Sequence, residues 1–148
     1  MAIELVNRIT PTIQPNEHPY MNGAWTPNYD EYNATDMKVI GEIPRDIDGV
    51  YVRNTENPVH EPIGRYHPFD GDGMIHSISL ADGKAEYRNR FVRTKAFNAE
   101  QEAGGSIWAG LMEHPRLSKR PGWGAHQNLK DTSSTDVIVH AGRILSTF

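Results

Sequence analysis

Two dipeptides constrain this chain more than any other feature: Asp82-Gly83 and Ala141-Gly142, each set between two β-rich runs. In Met74 to Leu80 the residues Met74, His76, Ile78 and Leu80 fall on one face, the alternation of a half-buried strand. Asp82-Gly83 follows, a strong signal for a tight hairpin. Residues 85 to 94 then return as a strand, with Tyr87 and Phe91 alternating in part with charged residues. Val137 to His140 and Arg143 to Phe148 repeat the arrangement around Ala141-Gly142. A further short run, Gly49 to Asn54, is preceded by a turn at residues 46–49. Sequential hairpins with tight turns predict an all-β antiparallel meander.

The remaining stretches are punctuated. Pro11, Pro15, Pro19 and Pro27 forbid a regular helix in the first part of the chain, because proline lacks the N–H donor and clashes with the preceding turn. Asn16, Asn22, Gly23, Asn28 and Asn33 add turn chemistry. Residues 1–35 are therefore expected to form an extended arm over something larger, and residues 36–148 the β domain. Between the hairpins, Ala99 to Ala103 predicts a helical turn ended by Gly104-Gly105. The rest of that connection, with Pro115, Pro121, Gly122 and Gly124, reads as irregular. A long connection of this kind is functional or signals a wrong assignment. The sequence ends on Phe148 inside a strand pattern, where domains usually end in polar residues past their last element. The expectation is a partial chain or an edge strand.

Composition narrows the chemistry. Lys and Arg number 15 against 19 Asp and Glu, and no concentrated basic face stands out, which argues against nucleic acid. There is no cysteine, so disulfides, thiolate nucleophiles and Cys-ligated metal are excluded. Mean hydropathy is -0.62 and no apolar run approaches a membrane span. Met1 to Leu5 has no basic region followed by an apolar stretch, so no secretory signal is read and the cytoplasm is the default location. Seven histidines make imidazole and carboxylate the available metal ligands, a set that suits iron, zinc or manganese.

The densest constellation runs from His67 to His76 and holds Asp70 and Asp72. Two carboxylates and two histidines have the chemistry of a metal site, and Asp70-x-Asp72-Gly73 echoes the start of a calcium loop. The further oxygen ligands and late Glu of that loop are missing, and Asp-Gly-Asp-Gly before a strand is what a tight turn needs. The other histidines, at 18, 60, 114, 126 and 140, show no paired helical spacing. Lys130 lies in a polar stretch before a strand. It reads either as a solvated lysine paired with Asp131 or as a lysine at the mouth of a site, and spacing does not choose. No Gly-rich phosphate loop opens a helix. None of Ser79, Ser106, Ser118, Ser133 and Ser134 has a nucleophile-elbow context.

Several stretches resemble one family, in order, from about Val39 to Phe148. Gly49-Val50-Tyr51-Val52-Arg53-Asn54-Thr55-Glu56-Asn57-Pro58 is similar to "G-x-Y-x-R-N-G-P-N-P", with Thr-Glu in place of Gly-Pro. His67-Pro68-Phe69-Asp70-Gly71-Asp72-Gly73-Met74-Ile75-His76 matches "H-x-F-D-G-D-G-M-x-H". Tyr87 to Thr94 resembles "Y-x-N-R-Y-V-R-T", and Lys130 to Leu145 resembles "K-D-x-x-N-T-x-V-x-x-H-x-G-R-L-L". The family is that of the carotenoid oxygenases, which includes lignostilbene dioxygenases. The resemblance implies the first blades of a seven-bladed β-propeller. It implies an Fe(II) cofactor held by four histidines that activates O2 to cleave an alkene into two carbonyls. Those four histidines follow the segment matching Ile144 to Phe148, so none of the seven here aligns with a ligand, and no catalytic residue is assigned. In stilbenoid-cleaving members a lysine and a tyrosine contact the substrate's phenolic oxygen. Lys130 aligns with the lysine, and Phe97 falls where the tyrosine is expected. Phe97 lacks the hydroxyl, which leaves a lignin-derived stilbene, another phenolic alkene and an apocarotenoid all open as substrates.

If the chain is only part of a propeller, it exposes inter-blade faces at Val50, Val52, Ile78, Val137 and Ile144, and is itself inactive. Two other readings compete with the oxygenase. One is a non-catalytic β-rich module that binds a partner, and the other a small metal protein built on His67 to His76. Some family members dip an apolar patch into membranes, and the polar character of residues 1–35 gives no support for that here. Oligomeric state is not legible.

Overall fold

The structure, a computed structural model, describes residues 2–14, 18–121 and 128–148. Pro15, Asn16, Gly122, Gly124 and His126, read above as turn residues or as an unpaired histidine, lie outside these. The elements are β1 (Ala2–Arg8), β2 (Asp30–Thr35), β3 (Gly49–Asn57), β4 (Asp72–Ala81), β5 (Lys84–Phe91), α1 (Lys95–Ala103), β6 (Asp136–His140) and β7 (Arg143–Thr147). Five strands form one sheet in the order β1-β2-β5-β4-β3, and β6 and β7 form a second. Every ladder is antiparallel, as the hairpin pattern predicts.

Both expected hairpins form, and backbone geometry explains their turns. Asp82 and Gly83 have φ of 50° and 73°, and Ala141 and Gly142 have 48° and 73°. Two successive left-handed residues match the twist of the flanking strands. Alanine lacks glycine's freedom there, so Ala141 costs about 1 kcal/mol. The register sets Met74 opposite Phe91, His76 opposite Asn89 and Ile78 opposite Tyr87.

The arm expected over residues 1–35 is corrected: β1 and β2 are strands of the larger sheet. The prolines that break regular structure lie at 11, 15, 19 and 27, between the two strands, which contain none and are free to ladder. β1 pairs with β2 across a bulge between Leu5 and Asn7, and β2 pairs with β5 through Asn33↔Arg88 and Ala34↔Tyr87. Where the β2–β5 ladder stops, side chains take over. Asn89 Oδ1 accepts from Tyr32 N at 2.7 Å, and its Nδ2 donates to Asp30 O at 2.8 Å. The buried Glu31 carboxylate accepts from Asn7 Nδ2, Phe91 N and Arg93 Nη2. β1 also shows Ile3, Leu5 and Val6 to solvent, so the N-terminal stretch is less polar on its surface than its composition suggests.

The helix is longer than the turn expected at 99–103. Thr94 is its N-cap and accepts from Phe97 N at 2.9 Å, and Gly104 ends it at φ 66°. One face of α1 is buried, through Ala96, Phe97, Ala99 and Glu100. Phe97 joins Ile9, Val59, Met74 and Phe91 in one apolar cluster, while Ala96 and Ala99 join Ile107 and Trp108 in another. The helix therefore sits between two small cores.

The second hairpin docks on the first sheet through polar contacts. Asn54 Nδ2 on β3 donates to Ser133 O at 2.8 Å and to Ser146 Oγ at 2.9 Å. Gly73 N donates to Thr132 O at 2.9 Å. The backbones approach so closely that a Cβ at Gly73 would collide with the Ser133 carbonyl. Ser133 itself has a φ of 53°, a strained value for a residue with a side chain.

Candidate functional site

Lys130 does not stay in solvent, and its ion-pair partners are not Asp131. It is buried, with Nζ 2.8 Å from Asp72 Oδ2 and 2.8 Å from Glu100 Oε2. Three pieces of chain meet at this point: the start of β4, the buried face of α1, and the segment leading into β6. Asp72 is placed by the tight turn before β4, and Glu100 by the helical repeat that also buries Ala96, Phe97 and Ala99. Glu100 Oε1 is taken by Ile107 N at 2.8 Å, so Oε2 is left to face the ammonium. The contact to Asp72 is a hydrogen bond, whereas Glu100 Oε2 has only the charge contact, and Asp72 Oδ1 has no hydrogen-bond partner.

Two buried carboxylates on one ammonium set the protonation chemistry. Burial pushes Asp72 up to about 6 in spite of Lys130, and the Glu100 charge adds to the rise. For Lys130 burial acts downward, but the two carboxylates outweigh it and the pKa is raised. The lysine is thus held cationic, and the Asp72 carboxyl takes up its proton at a higher pH than an ordinary carboxyl. His60 lies within reach of these charges. Burial lowers its pKa, with Lys130 adding to the drop and Glu100 opposing it. Its ring bonds Thr12 Oγ1 at 2.9 Å and Gln101 Nε2 at 2.8 Å, tying the segment after β1 to α1. Lys130 lines a cavity of about 20 Å³ with Val59, His60, Tyr66, Asp70 and Trp108, room for about one water. A larger open cleft of about 450 Å³, beside Trp25, Arg53 and His76, does not include Lys130.

Phe97 and Lys130 have different surroundings. The Phe97 ring is 2% exposed and stacks on Phe91 at 5.4 Å, with the Arg93 guanidinium 5.1 Å from its centroid. Lys130 has the two carboxylates. The link between them is α1, which carries Phe97 and Glu100 one turn apart. Glu100 was missed by sequence reasoning, although a carboxylate on the face formed by Ala96, Phe97 and Ala99 was a readable signal of a buried ion pair.

The His67 to His76 constellation is dispersed by its own hydrogen bonds. His67 Nδ1 accepts from Phe69 N, while Asp70 accepts from His67 N and Leu111 N. Asp72 faces Lys130. His76 sits between Thr55 Oγ1 at 2.9 Å and Tyr87 OH at 2.7 Å. Among the described residues no three His, Asp or Glu side chains come together in a way that could hold a metal ion. None of their helices is long and apolar enough to cross a membrane.

The described residues thus form a five-stranded antiparallel sheet with a second hairpin docked at its edge strand β3. The family model described as retinal pigment epithelial membrane protein matches residues 25–148. The carotenoid cleavage oxygenase of Mycobacterium tuberculosis is 40% identical over 133 residues, covering 88% of this chain and 24% of that protein. The isoeugenol monooxygenase of Pseudomonas nitroreducens is 33% identical over 129 residues, 86% of this chain and 26% of that protein. The crystal structure of Pseudomonas brassicacearum lignostilbene dioxygenase superposes with a TM-score of 0.76 at 28% identity, over 91% of this chain and 28% of that one. The chain belongs to the carotenoid oxygenase family and folds as blades of its seven-bladed propeller. It spans about a quarter of the length of the relatives it matches.

Proposed function

We propose that the polypeptide containing this chain is a cytoplasmic non-heme Fe(II) dioxygenase that cleaves a conjugated C=C bond with O2 into two carbonyl products. The family supports the reaction class, and the names of two relatives point to phenolic alkenes while a third points to carotenoids. Among the described residues no group of side chains fits an iron site, and the ferrous ion enters this proposal with the four histidine ligands that the family resemblance sets after residue 148.

The observation that carries the substrate reading is the buried, cationic Lys130. A fixed positive charge beside a phenolic oxygen favours the ionised phenol, its proton passing to solvent, and the phenolate then donates electron density into the alkene. Phe97 has no hydroxyl to share the phenolic oxygen and is packed in the apolar cluster with Phe91, away from the cavity that Lys130 lines, so Lys130 alone carries this reading. The leading substrate class is therefore a phenolic alkene such as a stilbenoid, gripped through one charged donor, and an apocarotenoid, which carries no phenol, is the alternative.

The test supplies the complete polypeptide with Fe(II) and O2. The substrates are a 4-hydroxystilbene, its 4-methyl ether and an apocarotenoid, and the aldehyde products are separated and measured. The expected result is cleavage of the hydroxylated stilbene at least ~10-fold faster than of the ether, because the ether cannot ionise and so loses the contact between two charges, and a hydrogen bond to a charged group is worth about 1.5–3 kcal/mol. Equal rates for the two would remove Lys130 from substrate recognition. No cleavage of any of the three by iron-loaded protein would favour a binding module, for which the exposed Val139 and Ile144 on the second hairpin offer a surface.

A further inference from the structure

We propose that Asp72 and Glu100 are positioning residues for Lys130: Asp72 takes one of its N–H groups in a hydrogen bond, Glu100 sets a second negative charge beside it, and together they hold it as a fixed cation, so that it acts on a ligand as a donor and never as a base. This rests on the reading of Lys130 as the substrate-contacting lysine. An ammonium has three donors and no acceptor. Asp72 Oδ2 accepts from one of them at 2.8 Å, and Glu100 Oε2, also 2.8 Å away, faces the ammonium from a different element as a charge contact alone. Lys130 also lines the cavity of about 20 Å³, so a donor not taken by Asp72 is available to a group that enters there. The carboxylates are themselves fixed, Glu100 by Ile107 N and Asp72 by its place in the β4 ladder opposite Asn57. The other titratable groups around the cluster are His60 from the stretch after β3, Tyr66 and Asp70 from the segment before β4, and Glu113 from the segment after α1. None of these is within ion-pair distance of the ammonium, so its charge state is governed by the two carboxylates. A buried lysine without them would lose its proton well below the ordinary range.

The consequence is that the phenolic proton does not leave to Lys130. A lysine acting as base would have to be neutral at working pH, and this one is held the other way. Preference for an ionisable phenolic oxygen over its methyl ether then persists over the whole range in which Lys130 stays charged.

The experiment compares the complete enzyme with its Glu100→Gln variant and with the Asp72→Asn/Glu100→Gln double variant. The readout is the ratio of kcat/KM for the 4-hydroxystilbene to that for its methyl ether, from about pH 7 to about pH 9. A ratio cancels effects that reach both substrates, including a general loss of structure. The expected result is a constant ratio in the unsubstituted enzyme and a fall of ~10-fold or more toward high pH in the variants, since each unit of lysine titration is a factor of ten. The 15N signal of the Lys130 ammonium should show the same downward shift in its titration. A ratio that stays independent of pH in the variants, with an unmoved ammonium titration, overturns the positioning role and leaves the Lys130 reading standing. A Lys130→Met variant that keeps the full preference for the hydroxylated substrate overturns that reading itself. Glu100→Gln alone carries the test if the double variant does not fold.

Discussion

At the scale of single residues, the Asp72–Lys130–Glu100 cluster links charge to stability. The folded Asp72 carboxyl, at about 6, binds a proton more tightly than the ordinary carboxyl at 3.8. Between those two values the folded state carries more protons than the unfolded one, so this residue makes stability rise as pH falls. The gain starts as pH drops through about 6 and is complete below about 4. Its size is on the order of 1–3 kcal/mol, set by the cost of one unit of pKa shift. Asp72→Asn, which is neutral at every pH, should flatten this part of the profile. Urea unfolding of the two proteins at several pH values checks it, and parallel profiles would show that Asp72 does not titrate in this window. Glu31 works in the opposite sense. Burial acts to raise its pKa, but the hydrogen bonds from Arg93, Asn7 and Phe91 N win and lower it, so its contribution is lost in strong acid.

At the scale of elements, the contact between the first sheet and the second hairpin depends on the absence of a side chain at Gly73. The glycine amide donates to Thr132 O, and the space where its Cβ would lie is filled by the Ser133 carbonyl. Ser133 is held in its left-handed conformation by three contacts: its carbonyl accepts from Asn54 and Ser146, and its hydroxyl donates to Ser146 O. Gly73→Ala should therefore separate the two units instead of shifting one side chain, at a cost of roughly 1–3 kcal/mol or more, the usual range for overpacking. Amide hydrogen exchange reads this directly. Protection should fall at Gly73 and in β6 and β7, while the β4–β5 ladder keeps its protection. Unchanged exchange in the second hairpin would mean that the hairpin is not anchored at Gly73.

At the scale of the whole molecule, apolar surface faces solvent where a propeller would place neighbouring blades. Val139 is 72% exposed, Val50 59% and Ile144 57%. Of the faces expected from the sequence, Val52, Ile78 and Val137 are half-buried, because the sheet and the docked hairpin already cover part of them. In solution the 148-residue chain by itself should self-associate through the remainder and bind a hydrophobic dye. Light scattering across a concentration series checks this. A monodisperse monomer with a sharp, cooperative thermal transition would show that these faces are tolerated in water.

The strands β3 to β7 and their tight turns were legible in the sequence because each is a local matter: alternation within a few residues, and a dipeptide able to adopt positive φ. The membership of the chain in its family was legible too, since the motifs fall in register along it. Local signals could not show that β1 and β2 join the larger sheet, because that pairing links residues about 28 positions apart and part of it rests on the side chains of Glu31 and Asn89. Nor could they choose between the two readings of Lys130. Its partners lie 58 and 30 residues away, and burial turned a lysine that composition would leave in water into the centre of an ion-pair cluster. The sequence by itself determined the strands β3 to β7 and which family they serve. The tertiary structure decided which charges meet, because a buried ion pair forms only where packing removes the water that would otherwise separate them.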